Sequence, residues 1–398
     1  MELLAITRNP EVWHFKSAPS TVEKQADWSI ATASLEELQD EALSLFADQN
    51  FAELIPVLSE MESQGSAWGA HYLAGCYSLG HGVEVDAERA NELMRGAADL
   101  GLVESQTVLG RNLLVGDGAQ KDVAEGLRYL NMAAAQGSAF AIYLLGEDSL
   151  SGSCETPQDP VAAAKLFQQS VDLGEHRAMQ RLAWLYSNGL GVELDLAEAL
   201  RLNMASAELG NEAAAFNAGR AFERGLGTVV DRGSALRFYE MAVQGNVVMA
   251  MHNLGALLFN GVGVEKDVEK AFHWYLKAAN FGSGLSSLCL AQMYEAGDRG
   301  DVDLPMAATW YLISIAQSDN DAQARFDSIR AQLSDVEKQA TLSIVTAFAE
   351  KGFHWGQLAL SNLYASGIFC AQDELQSEKW AAAAECSKAD ADVMFRQM

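Results

Sequence analysis

A pattern that returns every 36 residues constrains this chain more than any other feature. Aligning one leucine with its equivalents gives Leu73, Leu109, Leu145, Leu182, Ala218, Leu254 and Leu290, at steps of 36, 36, 37, 36, 36 and 36. A period of that length means supersecondary units stacked in a row, each burying its apolar face only against its neighbours. At 398 residues the chain is also longer than one compact core usually serves.

Each column of the repeat has a physical task. Paired glycines follow the leucine: Gly80 and Gly82, Gly116 and Gly118, Gly189 and Gly191, Gly225 and Gly227, Gly261 and Gly263. They supply the positive φ that ends one helix and turns the chain back. An aspartate comes next (Asp86, Asp122, Asp195, Asp231, Asp267, Asp303), with Asp159 displaced by one inserted residue. It is placed to cap the second helix, and Glu125 and Glu198 stand where a capping box would have its partner. A small residue beside the leucine (Ala74, Gly110, Gly146, Ala183, Gly219, Gly255, Ala291) lets a neighbouring helix approach. A glycine closes each unit, at Gly101, Gly137, Gly174, Gly210, Gly245 and Gly282.

This helix-turn-helix pattern, with Tyr77, Tyr186 and Tyr294 at its aromatic position and Val83, Val192 and Val264 after the second glycine, resembles the Sel-1-like repeat family, relatives of the tetratricopeptide repeats. The resemblance implies an all-α fold, an α-α superhelix forming a right-handed solenoid. The expected organisation is an N-terminal arm over 1–33, a capping helix pair over 34–65, seven repeats over 66–318, an interrupting helix pair over 319–351, and a degenerate repeat with C-terminal cap over 352–398. Ser34 with Glu37 and Ser334 with Glu337 read as capping boxes, and Pro56 as a kink or a delayed helix start. In the last copy Phe369 replaces the second glycine, which puts its turn geometry in question.

The formal charge of −27 argues against nucleic acid or an anionic membrane surface as the main partner. No apolar run reaches the length of a membrane span, and no secretory signal is read at the start. Five scattered cysteines (Cys76, Cys154, Cys289, Cys370, Cys386) suggest free thiols and a cytoplasmic location. The usual hydrolase and metal motifs are missing, and the seven histidines do not pair at helical metal spacing. No catalytic residue, metal or cofactor is therefore expected. The stretch from Gly261 to Tyr275, which looks like a nucleotide loop beside an aromatic patch, is the clearest copy of the repeat, and its aromatics fall on the second helix.

With the leucine facing the core, residues five and two before it and two and five after it lie on the opposite side of the first helix, the concave side of a solenoid. There the chain carries arginine and aromatic side chains, unexpected in so acidic a protein. Arg177, Trp184, Phe216, Arg220 and Arg224 are the expected centre of a partner groove, flanked by Tyr143, Arg111 and His252. Guanidinium forks suit carboxylates, and aromatics supply buried area. The expected function is a non-catalytic scaffold or adaptor for a protein or peptide partner with acidic side chains or a free carboxylate. The alternatives are a small-molecule hydrolase on the same array, as described for some relatives, and a regulatory inhibitor that binds a basic protein through its acidic surface.

Overall fold

The computed structural model describes residues 29–152, 157–319 and 321–394. Most of the expected N-terminal arm, His14 and Cys154 lie outside the described residues. Among those described, every regular element is helical. The chain divides into two units, Met1–Leu194 and Asp195–Met398.

In the first unit a 3-10 turn, Ile30–Thr32, precedes nine α-helices: α1 (Leu35–Ala47), α2 (Phe51–Ser63), α3 (Ala67–Leu79), α4 (Ala87–Asp99), α5 (Val103–Val115), α6 (Val123–Ala135), α7 (Ala139–Ser151), α8 (Pro160–Asp172) and α9 (His176–Asn188). Each packs on its neighbours in sequence, as stacked hairpins must. Ser34 and Glu37 close the capping box at the start of α1. The start of α2 is not delayed by Pro56: the helix runs on from Phe51, with Leu54, Val57, Leu58 and Met61 buried on either side of the proline.

The second unit holds α10 (Leu196–Glu208), α11 (Glu212–Arg224), α12 (Arg232–Ala242), α13 (Val248–Asn260), α14 (Val268–Asn280), α15 (Gly284–Ala296), α16 (Leu304–Ala316), α17 (Asp321–Arg330), α18 (Asp335–Glu350), α19 (His354–Ser366) and α20 (Glu374–Met394). Here α16 is a hub that packs on α15, α17, α18 and α19, and it buries residues all round, Trp310, Tyr311 and Ile313 among them. Ser334 and Glu337 form the second capping box. Phe369 takes the left-handed conformation of the missing glycine, φ +66°. That conformation costs a residue with a Cβ about 1–2 kcal/mol, and here the ring lies edge-on against Phe326, centroids 5.9 Å apart.

Seven aspartates cap as their spacing predicts: Asp86, Asp122, Asp159, Asp195, Asp231, Asp267 and Asp303 each accept a backbone N–H in the first turn of the helix that follows. The reciprocal half expected from Glu125 and Glu198 is not made, because those carboxylates turn to Arg95 and Arg201 instead. The N–H of a capping aspartate also closes its turn by donating to the carbonyl nine residues back, as Asp86 does to Tyr77 and Asp267 to Leu258. In the copy with the extra residue, Asp159 reaches ten residues back to Ser149 at 2.8 Å and caps α8 all the same.

The second glycine of a pair is required twice over. Gly191 and Gly227 have φ of +70° and +74°, and a Cβ on them would stand 2.1 Å from the carbonyl oxygen of Pro160 and 2.2 Å from that of Leu196. The small residues beside the leucine answer an aromatic on the paired helix. A Cβ on Gly146 would meet the Phe167 ring at 2.7 Å, and one on Gly219 the Tyr239 ring at 2.6 Å. Gly245 does not close its unit: it ends a 3-10 turn, Val243–Gly245, and Asn246 takes the left-handed position, φ +56°. Asn246 is 36 residues from both Gly210 and Gly282, so the period itself marks it.

Candidate interaction surface

In the first unit α5 carries Arg111, α9 carries Arg177 and Arg181, and α7 between them in sequence carries Phe140 and Tyr143. Arg177 extends over the Phe140 ring, its guanidinium carbon 4.0 Å from the ring centroid and 5.9 Å from that of Tyr143. It is not free: Nε donates to Oε1 of Glu175 at 2.7 Å and Nη2 to Oε2 at 2.9 Å. Glu175 is 8% exposed and also accepts the backbone N–H of Arg177, capping α9. Burial works to raise its pKa, but Arg177 outweighs burial and holds the carboxyl below its ordinary value.

Arg181 pairs with Glu147, its Nη2 donating to Oε2 at 2.8 Å. There burial prevails over the arginine and raises the carboxyl's pKa. Arg111, expected on the open side, is only 4% exposed. Its Nε and Nη2 both donate to the Oδ1 of Asn112, at 3.3 and 2.9 Å, and no carboxylate lies within ion-pair distance among the described residues. Burial lowers its pKa, Asp117 opposes that, and the charge of Arg177 adds to it. Trp184 is 47% exposed and Tyr143 half-buried, parallel to Phe140 with centroids 5.9 Å apart.

In the second unit Phe216 packs on Tyr239, centroids 6.0 Å apart, and carries the Arg220 guanidinium 5.7 Å from its own ring centre. Glu223, one turn beyond Arg220, is taken by the Tyr239 hydroxyl, which donates to Oε2 at 2.6 Å and accepts from Asn253 Nδ2 at 3.0 Å. Burial and that carboxylate together push the phenol's pKa far up. Arg220 is half-buried and Arg224 exposed, and neither forms an ion pair among the described residues. His252 is a strut, its Nδ1 3.0 Å from Ser286 Oγ on α15 and its ring 5.6 Å from that of Tyr275. His71 repeats the arrangement in the first unit, with Nδ1 2.8 Å from Ser105 Oγ.

The five residues expected at one centre thus divide, with Arg177 and Trp184 in the first unit and Phe216, Arg220 and Arg224 in the second. The helical lattice misses Glu175, which lies just ahead of α9, and Arg181, which falls between the chosen positions. A signal for Glu175 exists: it is the only acid in a column of N-caps occupied elsewhere by Ser66, Leu102, Ser138, Asn211, Val247 and Ser283.

The Sel1 repeat matches residues 69–102, 103–138, 139–175, 176–211, 212–247, 248–283 and 288–319, more than half the chain. The chain belongs to the Sel1 repeat family. Its fold is similar to that of c5321, a protective antigen of uropathogenic Escherichia coli with an SLR fold, at 26% identity and a TM-score of 0.68, covering 89% of this chain and 79% of that one. A Sel1 repeat protein of Oxalobacter formigenes aligns at 25% identity and a TM-score of 0.53, over 60% of this chain and 95% of that one. In sequence, the chain is 30% identical over 149 residues to an uncharacterized protein of Neisseria meningitidis, 37% of this chain and 30% of the length of that relative.

Sel1 repeats on helical hairpins are consistent with a protein-interaction scaffold. Among the described residues no helix is long and apolar enough to cross a membrane, and no three His, Cys, Asp or Glu side chains are grouped to hold a metal ion. The four described cysteines are unpaired.

Proposed function

We propose that this Sel1 protein is a non-catalytic adaptor whose concave surfaces hold an extended acidic peptide segment of a protein partner. The observation that carries the reading is Arg220: in a chain with 54 acidic and 27 basic residues, a half-buried guanidinium rests on an aromatic ring and has no carboxylate partner among the described residues. Arg224 adds an exposed charge at the end of the same helix, and in the first unit Trp184 offers an aromatic face to a ligand. A carboxylate on Arg220 would gain a charge-assisted hydrogen bond that none of the described residues provides. The unpaired cysteines support a reducing compartment, and we place the protein in the cytoplasm on that ground.

The hydrolase alternative would need a nucleophile and base set apart from the scaffold. The phenol–carboxylate pair described above, Tyr239 with Glu223, recurs as Tyr311 with Glu295 at 2.5 Å and the same 16-residue spacing. A pair that recurs with the repeat is explained by packing. The test is retention of proteins from the native lysate by the wild-type chain and by a Trp184→Ala, Arg220→Ala variant of unchanged melting temperature. Loss of specific bands in the variant is expected; identical retention would sink the proposal.

A further inference from the structure

The first unit contains a buried positive charge that forms no ion pair among the described residues. Of the three arginines on α5 and α9, two have a carboxylate each, Arg177 through Glu175 and Arg181 through Glu147. The third and most buried, Arg111, has only an amide oxygen among the described residues. Removing a guanidinium from water is costly unless a counter-charge meets it; Asp117 opposes that cost without forming an ion pair, and the charge of Arg177 adds to it. A neutral residue at position 111 would avoid the cost. Local rules are broken in this way where a group serves something other than stability.

The donors left over are specific. Asn112 occupies Nε and Nη2 of Arg111, and Glu175 occupies Nε and Nη2 of Arg177. That leaves Nη1 of each arginine without a hydrogen bond among the described residues. The Arg111 Nη1 is not among the sealed, unsatisfied polar atoms of the structure, so it keeps an opening to solvent. Aromatic surface from Phe140 and Tyr143 adjoins the Arg177 guanidinium.

We propose that Arg111, with Arg177 beside it, is a carboxylate-binding site that takes an Asp or Glu side chain of a bound acidic peptide. The assignment rests on the adaptor reading and specifies which residue of the first unit meets the ligand's charge. It also moves that role away from Arg177 alone, whose charge is already balanced. Arg111 brings the unspent charge, and Arg177 lends a donor and its ring stack.

The full-length chain can be tested with N-terminally labelled hexaglutamate, and labelled hexaglutamine as the neutral comparison, by fluorescence anisotropy and thermal melting. The wild type should bind hexaglutamate in preference to hexaglutamine. Arg111→Met should weaken hexaglutamate by about tenfold or more while melting, without peptide, no lower than wild type, because a buried charge has been removed. Should that variant fail to fold, Arg111→Lys keeps the charge, loses the fork, and should still lose severalfold in affinity. Undiminished binding by either folded variant overturns the site, as does complete displacement of the peptide by millimolar inorganic phosphate, which would indicate a small-oxyanion site instead. If hexaglutamate depends on Arg111 while lysate retention ignores Trp184 and Arg220, the site stands and the adaptor surface falls. The opposite pattern removes the site and leaves the adaptor.

Discussion

Arg177 and Arg181 in the first unit are each held by a carboxylate, Glu175 and Glu147, whereas Arg220 in the second has Glu223 one turn away and does not reach it. The difference comes from a third residue. Tyr239 rises from the paired helix under Gly219 and takes Glu223 for its hydroxyl, so an arginine with an acid at helical spacing is left open. Whether an arginine of the repeat pairs within the chain is thus decided by the aromatic on the paired helix as much as by the helical spacing of acid and base.

The comparison can be broken first at Glu175. Glu175→Gln leaves the Arg177 guanidinium without its buried counter-charge, and urea denaturation should show a loss of about 3 kcal/mol. A loss below about 1 kcal/mol would mean the pair is solvated and the contrast between the units is void.

The next effect is pH-dependent and concerns the paired struts. Burial pushes the His71 pKa down to about 4, with Glu104 opposing, so between there and 6.5 the unfolded chain binds a proton that the folded chain refuses. Stability is therefore complete above pH 6.5 and falls as the pH drops towards 4, by about 3 kcal/mol for this one group. His252 is shifted in the same direction by the same cause, burial, with Glu223 opposing. Urea melts of wild type and His71→Gln at pH 7.5 and 4.5 isolate the contribution: the variant should lose less on acidification, and parallel losses would contradict a buried neutral His71.

Tyr239→Phe tests the cause of the difference. It removes a hydrogen bond to a charged acceptor, worth about 2 kcal/mol, and releases Glu223 towards Arg220. Stability should fall while partner binding through Arg220 weakens; binding that is unchanged or stronger would show that Glu223 does not compete. The smallest effect is expected at Arg220 itself. Arg220→Gln should change stability by no more than about 0.5 kcal/mol, since it breaks no ion pair, in contrast to Glu175→Gln.

The repeat was legible because each column meets a separate necessity: a left-handed turn, a cap, a close helix approach. Gly227 cannot carry a Cβ and Asp267 accepts an N–H, so the aspartate column is filled in all seven copies and the second-glycine column is broken at Cys154, Arg299 and Phe369 alone. What the period could not show was where long side chains turn once they leave the helix. Arg111 and Trp184 occupy the same lattice position two units apart, yet one is buried and the other open to solvent. Arg177 reaches back to a cap residue that no helical wheel includes. Such choices depend on neighbours supplied by other copies, and the copies differ there. Phe369 shows the converse: a broken column whose backbone conformation survives, carried by a contact outside the repeat.

The turn bond of the capping aspartates has an engineering consequence. Because Asp159 keeps both its cap and its closing bond with one residue more than its counterparts, added length ends at the turn and is not passed on to α8. The same insertion inside a helix would rotate everything after it by about 100°. The turn that leads from the end of α7 to Asp159 is thus where an inserted guest loop, protease site or reporter peptide should leave the helices on both sides in register.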